Sequence, residues 1–246
     1  MHHFELDEWS RGASWLHRLD ARAKIAGLIL FLLVVAFTPP AAAHWLWLFA
    51  ALPVAEIVAA RIPLTRALAF SAAVLPFAAV FALVQIPTRG LAASVALLEK
   101  SYVSALAALA VVGTTPLPKL AHGLMSLGAP RFLVLVIQFL YRYLFLVSEQ
   151  AQHMRLAAAS RGSNFGARFR RRRLSAAGGA LAAMFARSYQ RAEGTYQAML
   201  ARGFAGRFPL AQASAFTKVD FGYILLIVIA SLSIQKVIVL FTQWSL

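Results

Sequence analysis

Long apolar segments separated by short polar breaks dominate the chain. An α-helix crosses the apolar core of a bilayer with roughly 20 residues. Five segments approach or reach that length: residues 23–38, 41–60, 67–87, 91–113 and 221–241. Proline cannot continue a helix, so Pro39 and Pro40 end the first segment. The pattern predicts an all-α membrane protein with about five transmembrane helices.

A sixth apolar run, residues 132–147, raises the question of how often the chain crosses. Lys and Arg collect in cytoplasmic loops, so the basic residues among positions 9–24 indicate a cytoplasmic N-terminus. Four crossings return the chain to the cytoplasm at about residue 114. A crossing by 132–147 would put the twelve basic residues of positions 149–220 outside. We therefore expect 132–147 to be a non-crossing helix packed along the membrane, with a sixth crossing as the alternative.

The predicted spans divide the chain into four consecutive parts. The parts are a cytoplasmic N-terminal segment (1–22), a four-helix membrane part (23–115), cytoplasmic or membrane-associated coupling helices (116–220) and a C-terminal transmembrane helix (221–246). The charged pair Glu99-Lys100 interrupts the fourth span, and we expect it to lie near a membrane face, where lysine can reach water.

The residue pattern of the third part, 116–220, predicts about three helices, at residues 116–127, 130–161 and 174–202. Gly128 follows the first helix, as expected of a glycine that ends it. Apolar residues recur along the third helix at three- and four-residue steps, which predicts a stripe that packs against a neighbouring helix. The stripe consists of Leu181, Phe185, Tyr189, Ala192, Tyr196 and Met199.

Both long helices of this part end in a small residue, an arginine and a glycine. The two motifs are Ala159-Ser160-Arg161-Gly162 and Ala201-Arg202-Gly203. An arginine in the last turn is favoured by the exposed carbonyls, and glycine lets the chain turn away at positive φ. A guanidinium at such a tip suits a carboxylate pocket on another protein, because its fork binds bidentately. A plain helix cap is the simpler interpretation of either motif alone, whereas two consecutive ends favour docking to one partner.

A run of arginines lies between these two helices, in what we take to be a linker. It consists of Arg168, Arg170, Arg171, Arg172 and Arg173. Such a run favours retention on the cytoplasmic side and contact with the anionic headgroups of the lipid bilayer. RNA binding is the competing interpretation, but no aromatic stacking platform accompanies the run, and we expect no nucleic-acid partner.

Composition and missing motifs exclude several function classes. The net charge is +15 in a chain that is 61% hydrophobic, which fits a membrane protein with basic cytoplasmic loops. Cysteine is absent, so disulfides and thiolate metal sites are excluded. The sequence has no phosphate-binding loop for ATP, no metal-binding spacing of histidines and no acid–base pair of a membrane enzyme. A stand-alone transporter with inverted repeats is not indicated either.

Several motifs, taken in order, resemble one transporter family. They are Leu16-His17-Arg18-Leu19-Asp20-Ala21-Arg22-Ala23-Lys24, the stretches 118–133 and 141–147, and above all "RSYQRAEGTYQAMLARGF" at 187–204. Together they resemble the transmembrane T component of energy-coupling factor (ECF) transporters of the cobalt/nickel type, known as CbiQ. The likeness covers nearly the whole chain. Ser160 departs from the family's usual Ala-Arg-Gly, although a small residue is retained.

The resemblance implies a non-catalytic coupling subunit of an ATP-driven importer of divalent cobalt or nickel in the bacterial cytoplasmic (inner) membrane. It implies that Arg161 and Arg202 each enter a groove on one of two ATP-binding-cassette ATPase subunits. A separate metal-specific membrane subunit would bind the substrate, and a small auxiliary membrane subunit is a further candidate partner. This chain is expected to hold no cofactor, because ATP and Mg belong to the ATPase and cobalt or nickel to the binding subunit. The alternatives are a vitamin-type T component, a stand-alone transporter and a membrane enzyme.

Overall fold

The structure, a computed structural model, describes residues 8–161, 170–204 and 216–244, with side chains outside 40–44, 170–176 and 241–244. All regular structure within these ranges is helical, which confirms the predicted all-α fold. The chain forms two compact units. We name the two units after the predictions made from the sequence: Met1–Val134 with Ser214–Leu246 is called the membrane unit, and Leu135–Ala213 is called the coupling unit.

The first helices of the membrane unit begin and end where the local sequence requires. These are α1 (Trp15–Arg18) and α2 (Ala21–Phe37). The carboxylate of Asp20 accepts a hydrogen bond from the backbone N–H of Arg22 at 2.9 Å, which caps the N-terminus of α2. Thr38 is extended and precedes the two prolines, so α2 ends there as predicted.

Short helical pieces follow, and then one long helix. They are a 3-10 helix (Pro40–Ala50), α3 (Ala51–Ala59), α4 (Leu64–Ala72) and α5 (Leu75–Thr114). Gly90 interrupts α5 with φ 81° and ψ 172°, a non-helical conformation that separates the helix into two parts. The two predicted spans at 67–87 and 91–113 therefore meet at this glycine, and the first of them also includes α4.

The remaining helices of the membrane unit are α6 (Leu117–Ser126) and α9 (Lys218–Trp244). Helix α2 packs against α5, α6 and α9, and the rings of Phe31 and Phe49 meet edge to face in its core. A Cβ on Gly123 of α6 would come within 3.1 Å of side chains of Ala21 and Ile25, so only glycine fits this contact without a shift. Gly128 follows α6 at φ 107°, as predicted.

Two long helices make up most of the coupling unit: α7 (Arg131–Ser160) and α8 (Arg170–Ala201). The linker predicted at Arg170–Arg173 is wrong, because α8 already begins at Arg170. Arginine is a good helix former, and neither proline nor glycine interrupts positions 170–177. Arg168 lies outside the described residues.

Most of the apolar stripe of α8 is exposed in the part of the chain that the structure describes, contrary to the prediction that a neighbouring helix covers it. Phe185 is 75% exposed, and Leu181, Tyr189 and Tyr196 are exposed by more than half. Spacing along a helix identifies an apolar face, but it does not show whether the covering surface belongs to the same chain.

Three helices of the described chain are long and apolar enough to cross a membrane: Leu75–Thr114, Arg131–Ser160 and Lys218–Leu240. Helix α2 has 17 residues and falls just below that length. Because α5 contains most of two predicted spans, these findings agree with a multi-span protein. Length and composition would also let α7 cross, so its path along the membrane stays a prediction.

Candidate functional site

The C-terminus of α8 has the geometry predicted from the Arg-Gly pair. Gly203 has φ 77°, and its N–H donates to the carbonyl of Leu200 at 2.9 Å. The N–H of Phe204 donates to the carbonyl of Met199 at 3.0 Å. These two bonds form a Schellman motif, with glycine in the left-handed conformation just past the helix. Arg202 is the capping residue, and its side chain is exposed.

The C-terminus of α7 presents the other arginine. The helix ends at Ser160, whose hydroxyl donates to the carbonyl of Ala157 at 3.0 Å. Arg161 lies in the following turn and is exposed. Gly162 lies outside the described residues, so the predicted glycine cap of this helix stays a prediction. Both arginines nevertheless occupy exposed positions immediately after a long helix.

A groove of about 1050 Å³ lies between α7 and α8 within the coupling unit. The hydroxyl groups of Tyr143 and Thr195 are 3.0 Å apart and join the two helices by a hydrogen bond. Four arginines are among the lining residues, whereas the described lining contains neither aspartate nor glutamate. The four are Arg142, Arg187, Arg191 and Arg202. Arg202 therefore belongs to both the helix end and the groove, while Arg161 does not line the groove.

A buried carboxylate ties the start of α9 to the start of α2 in the membrane unit. Asp220 is only 3% exposed and accepts a hydrogen bond from the backbone N–H of Asp20 at 2.8 Å. It also accepts hydrogen bonds from the N–H and the hydroxyl of Thr217, at 2.8 and 2.6 Å. A buried carboxylate requires several donors of this kind to offset its lost hydration.

A buried lysine ties the same end of α2 to the end of α5. Lys24 is 1% exposed, and its ammonium group donates to the carbonyl of Thr114 at 3.0 Å. It also donates to the hydroxyls of Thr114 and Thr115, at 3.3 and 2.7 Å. An ammonium group has three N–H donors, so these three acceptors satisfy it fully. We call Asp20, Lys24, Thr114, Thr115, Thr217 and Asp220 the polar anchor.

His17 fixes the segment before α2 rather than presenting a metal ligand. Its Nε2 lies 2.9 Å from the carbonyl oxygen of Trp9, which can only accept, so Nε2 donates this bond. Its Nδ1 lies 2.7 Å from the hydroxyl of Ser14. Both ring nitrogens are therefore engaged, and the described residues contain no group of three potential metal ligands among His, Cys, Asp and Glu.

A second lysine closes the other end of the α2–α5 pair. Lys100 donates to the carbonyls of Ala36 and Thr38 at 3.0 and 2.6 Å, and so caps the C-terminus of α2. Fourteen residues separate Lys24 from Thr38 and also Lys100 from Thr114, about 21 Å of helix in each case. The two lysines thus fix the antiparallel register of α2 and the second part of α5.

Comparison with known protein families identifies one match. The family model for CbiQ, described as a cobalt transport protein, matches residues 12–212, well over half of the chain. This chain belongs to the CbiQ cobalt transport family. The match includes Lys24, both Arg-Gly ends and all of α7 and α8. A search of curated proteins finds no match. The chain is therefore a membrane protein of a transport family, in agreement with the resemblance seen in its motifs.

The sequence indicated some of these residues by pattern and missed others. The Arg-Gly pairs were visible as local motifs, and Lys24 and Asp20 belong to the N-terminal motif of the CbiQ resemblance. Nothing in the sequence pairs Lys24 with Thr114, which lies 90 positions away. The grouping of Arg142 with Arg187 was missed for the same reason, since it depends on how α7 and α8 pack.

Proposed function

We propose that this CbiQ protein is the coupling subunit of an ECF importer of divalent cobalt or nickel in the bacterial inner membrane. Arg161 and Arg202 each dock into one of two ATPase subunits in the cytoplasm. Closure of the ATPase pair on ATP moves α7 and α8, and the membrane unit passes this movement to a separate metal-binding membrane subunit. The chain itself catalyses no reaction and holds no cofactor.

The geometry of Arg202 carries this proposal. Its position at a Schellman cap fixes the backbone, so the guanidinium starts from a defined point at the end of a 32-residue helix. Neither Arg161 nor Arg202 forms an ion pair with the described part of the chain. A carboxylate on a partner can therefore pair with either guanidinium without displacing an internal bond.

The exposed stripe of α8 supports contact with a second apolar partner. Leu181, Phe185, Tyr189 and Tyr196 expose a row of large apolar side chains. A row of apolar side chains that is exposed to water favours association with another protein, because covering it removes apolar surface from water. We assign it to the substrate-binding membrane subunit. Membership in a cobalt transport family favours a metal ion over a vitamin as the substrate of that subunit.

Charge reversal at the two helix ends tests the docking. We expect Arg161→Glu or Arg202→Glu to reduce co-purification of the ATPase by at least about tenfold, because each loses a pair and adds repulsion. The double variant should abolish co-purification and metal uptake. Recovery of the ATPase with the affinity-tagged full chain from membranes measures the first effect, and uptake of radioactive cobalt or nickel measures the second.

Arg155→Glu is the matched control, since Arg155 is exposed on α7 and makes the same change in net charge. Membrane insertion of every variant is measured in parallel. Normal ATPase recovery with the inserted double variant would contradict the docking proposal and would leave the two Arg-Gly ends as helix caps alone. Equal loss with Arg155→Glu would show a general charge effect instead of docking at two points.

A further inference from the structure

The groove between α7 and α8 carries a charge that the chain does not balance. Arg142 contributes from α7, and Arg187, Arg191 and Arg202 contribute from α8. The described chain gives none of these four guanidinium groups an ion pair. Four cations around one groove repel one another unless an anion enters, so the groove is complementary to an anionic ligand.

The surroundings of the groove specify what kind of anion fits. Arg142 stands inside the most apolar stretch of α7, and Leu135 and Phe139 line the groove beside it. On the same part of α7, Val136, Leu140 and Leu144 are exposed, Leu140 by 60%. An anionic headgroup with attached acyl chains would satisfy both features, because its phosphate can pair with arginine while its chains cover apolar residues.

We propose that this groove binds the phosphodiester headgroup of an anionic phospholipid. Arg142, Arg187 and Arg191 hold the phosphate oxygens, and Gln190 in the lining supplies a further amide donor. The acyl chains lie along Val136, Leu140 and Leu144. The proposed site does not depend on ATPase docking.

An acidic segment of a partner protein is the competing occupant. It would satisfy the arginines, but it would leave the exposed apolar residues of α7 without a function. A bound lipid accounts for both features and agrees with a path of α7 along the membrane surface. Basic pockets between helices on the cytoplasmic side are a known form of anionic lipid site.

Lipid binding to the purified full chain in detergent tests the proposal by native mass spectrometry. Phosphatidylglycerol and phosphatidylcholine with identical acyl chains are titrated against the wild type and against the triple variant Arg142→Gln, Arg187→Gln, Arg191→Gln. We expect the wild type to prefer phosphatidylglycerol. The triple variant should lose about tenfold or more of this preference, because each arginine near a headgroup attracts the anion. Arg202 is left unchanged so that ATPase docking is not altered.

The charge-matched control is the triple variant Arg89→Gln, Arg155→Gln, Lys218→Gln, whose residues are exposed and do not line the groove. It should keep the wild-type preference. An unchanged preference in the groove variant overturns the proposal, and so does an equal loss in the control. If the groove variant keeps its lipid but loses the ATPase, the occupant is an acidic protein segment. Should the triple variant not insert, Arg142→Gln alone must reduce the preference measurably, or the proposal fails.

Discussion

The two units differ in the burial and bonding of several charged side chains. In the membrane unit, Lys24 and Asp220 are buried. Lys24 donates three hydrogen bonds, and Asp220 accepts three. In the coupling unit, the guanidinium groups of Arg161, Arg191 and Arg202 are exposed, and the described chain gives them no ion pair. A charge that is buried must be satisfied by its own chain, whereas an exposed charge is hydrated until a partner replaces the water.

This contrast separates residues that hold the fold from residues available for binding. Removal of one member of the polar anchor leaves buried donors or acceptors unsatisfied, and the free energy of unfolding should fall. Removal of an exposed arginine leaves nothing unsatisfied, so stability should change little while association with a ligand or a partner weakens. Three substitutions, from the largest expected effect on stability to the smallest, test the distinction.

Asp220→Ala should have the largest effect on stability. It leaves the buried N–H of Asp20 and two donors of Thr217 without their acceptor, and we expect a loss of about 3 kcal/mol in the free energy of unfolding. Denaturant titration of the purified chain in mixed micelles measures it. Asp220→Asn is the control, since the amide oxygen can still accept and should preserve part of the stability. An alanine variant as stable as the wild type would show that the anchor does not hold the fold.

Lys24→Met should have an intermediate effect. Methionine fills most of the same volume, but it donates no hydrogen bond to the carbonyl of Thr114 at the end of α5. We expect a loss of about 2 kcal/mol by the same titration. Lys119→Met is a matched control, because Lys119 is exposed on α6 and its ammonium group makes no hydrogen bond with the described residues. If both variants lose the same stability, burial of Lys24 is not the cause.

Gly203→Ala should have the smallest effect on stability and a larger one on docking. Apart from its chain neighbours, no atom of the described residues lies within 4 Å of a Cβ added at Gly203, so the cost is that of positive φ, about 1 kcal/mol. Relief of that strain would change the backbone that positions Arg202. We therefore expect a clear decrease in ATPase recovery while the free energy of unfolding changes little. Gly179→Ala is the control, because Gly179 lies in the interior of α8, has open space around its Cβ among the described residues and is not a lining residue of the groove. Unchanged ATPase recovery in Gly203→Ala would show that the cap does not orient Arg202.

Sequence reasoning succeeded where neighbouring residues decide the structure. Helix α2 was predicted at 23–38 and is found at Ala21–Phe37, because the two prolines that follow leave no alternative end. Gly128 and Gly203 were expected just past helix ends and have positive φ there. The same approach was wrong at Arg170–Arg173, where a run of charge was taken for a linker although arginine readily continues a helix.

Contacts between residues that are far apart in the sequence could not be predicted from neighbouring residues. The predicted place of Lys100 near a membrane face stays a prediction, and local sequence did not show that Lys100 donates to the carbonyls of Ala36 and Thr38, more than 60 positions away. The stripe of α8 was expected to be covered by a neighbouring helix, and most of its described side chains are exposed. In both cases a single helix shows which side chains share a face, but the partner of that face lies on another helix or another chain.

The sequence by itself determined the helices, most of their ends, the apolar spans and the CbiQ resemblance, because these depend on local propensity, capping and hydropathy. Tertiary structure alone decided which charges are buried and which are exposed. Lys24 and Arg142 both stand beside apolar residues in the sequence. Packing encloses Lys24 within the membrane unit, whereas Arg142 remains exposed beside the groove of the coupling unit. The physical reason is that burial depends on residues far away in the chain, and local sequence does not specify them.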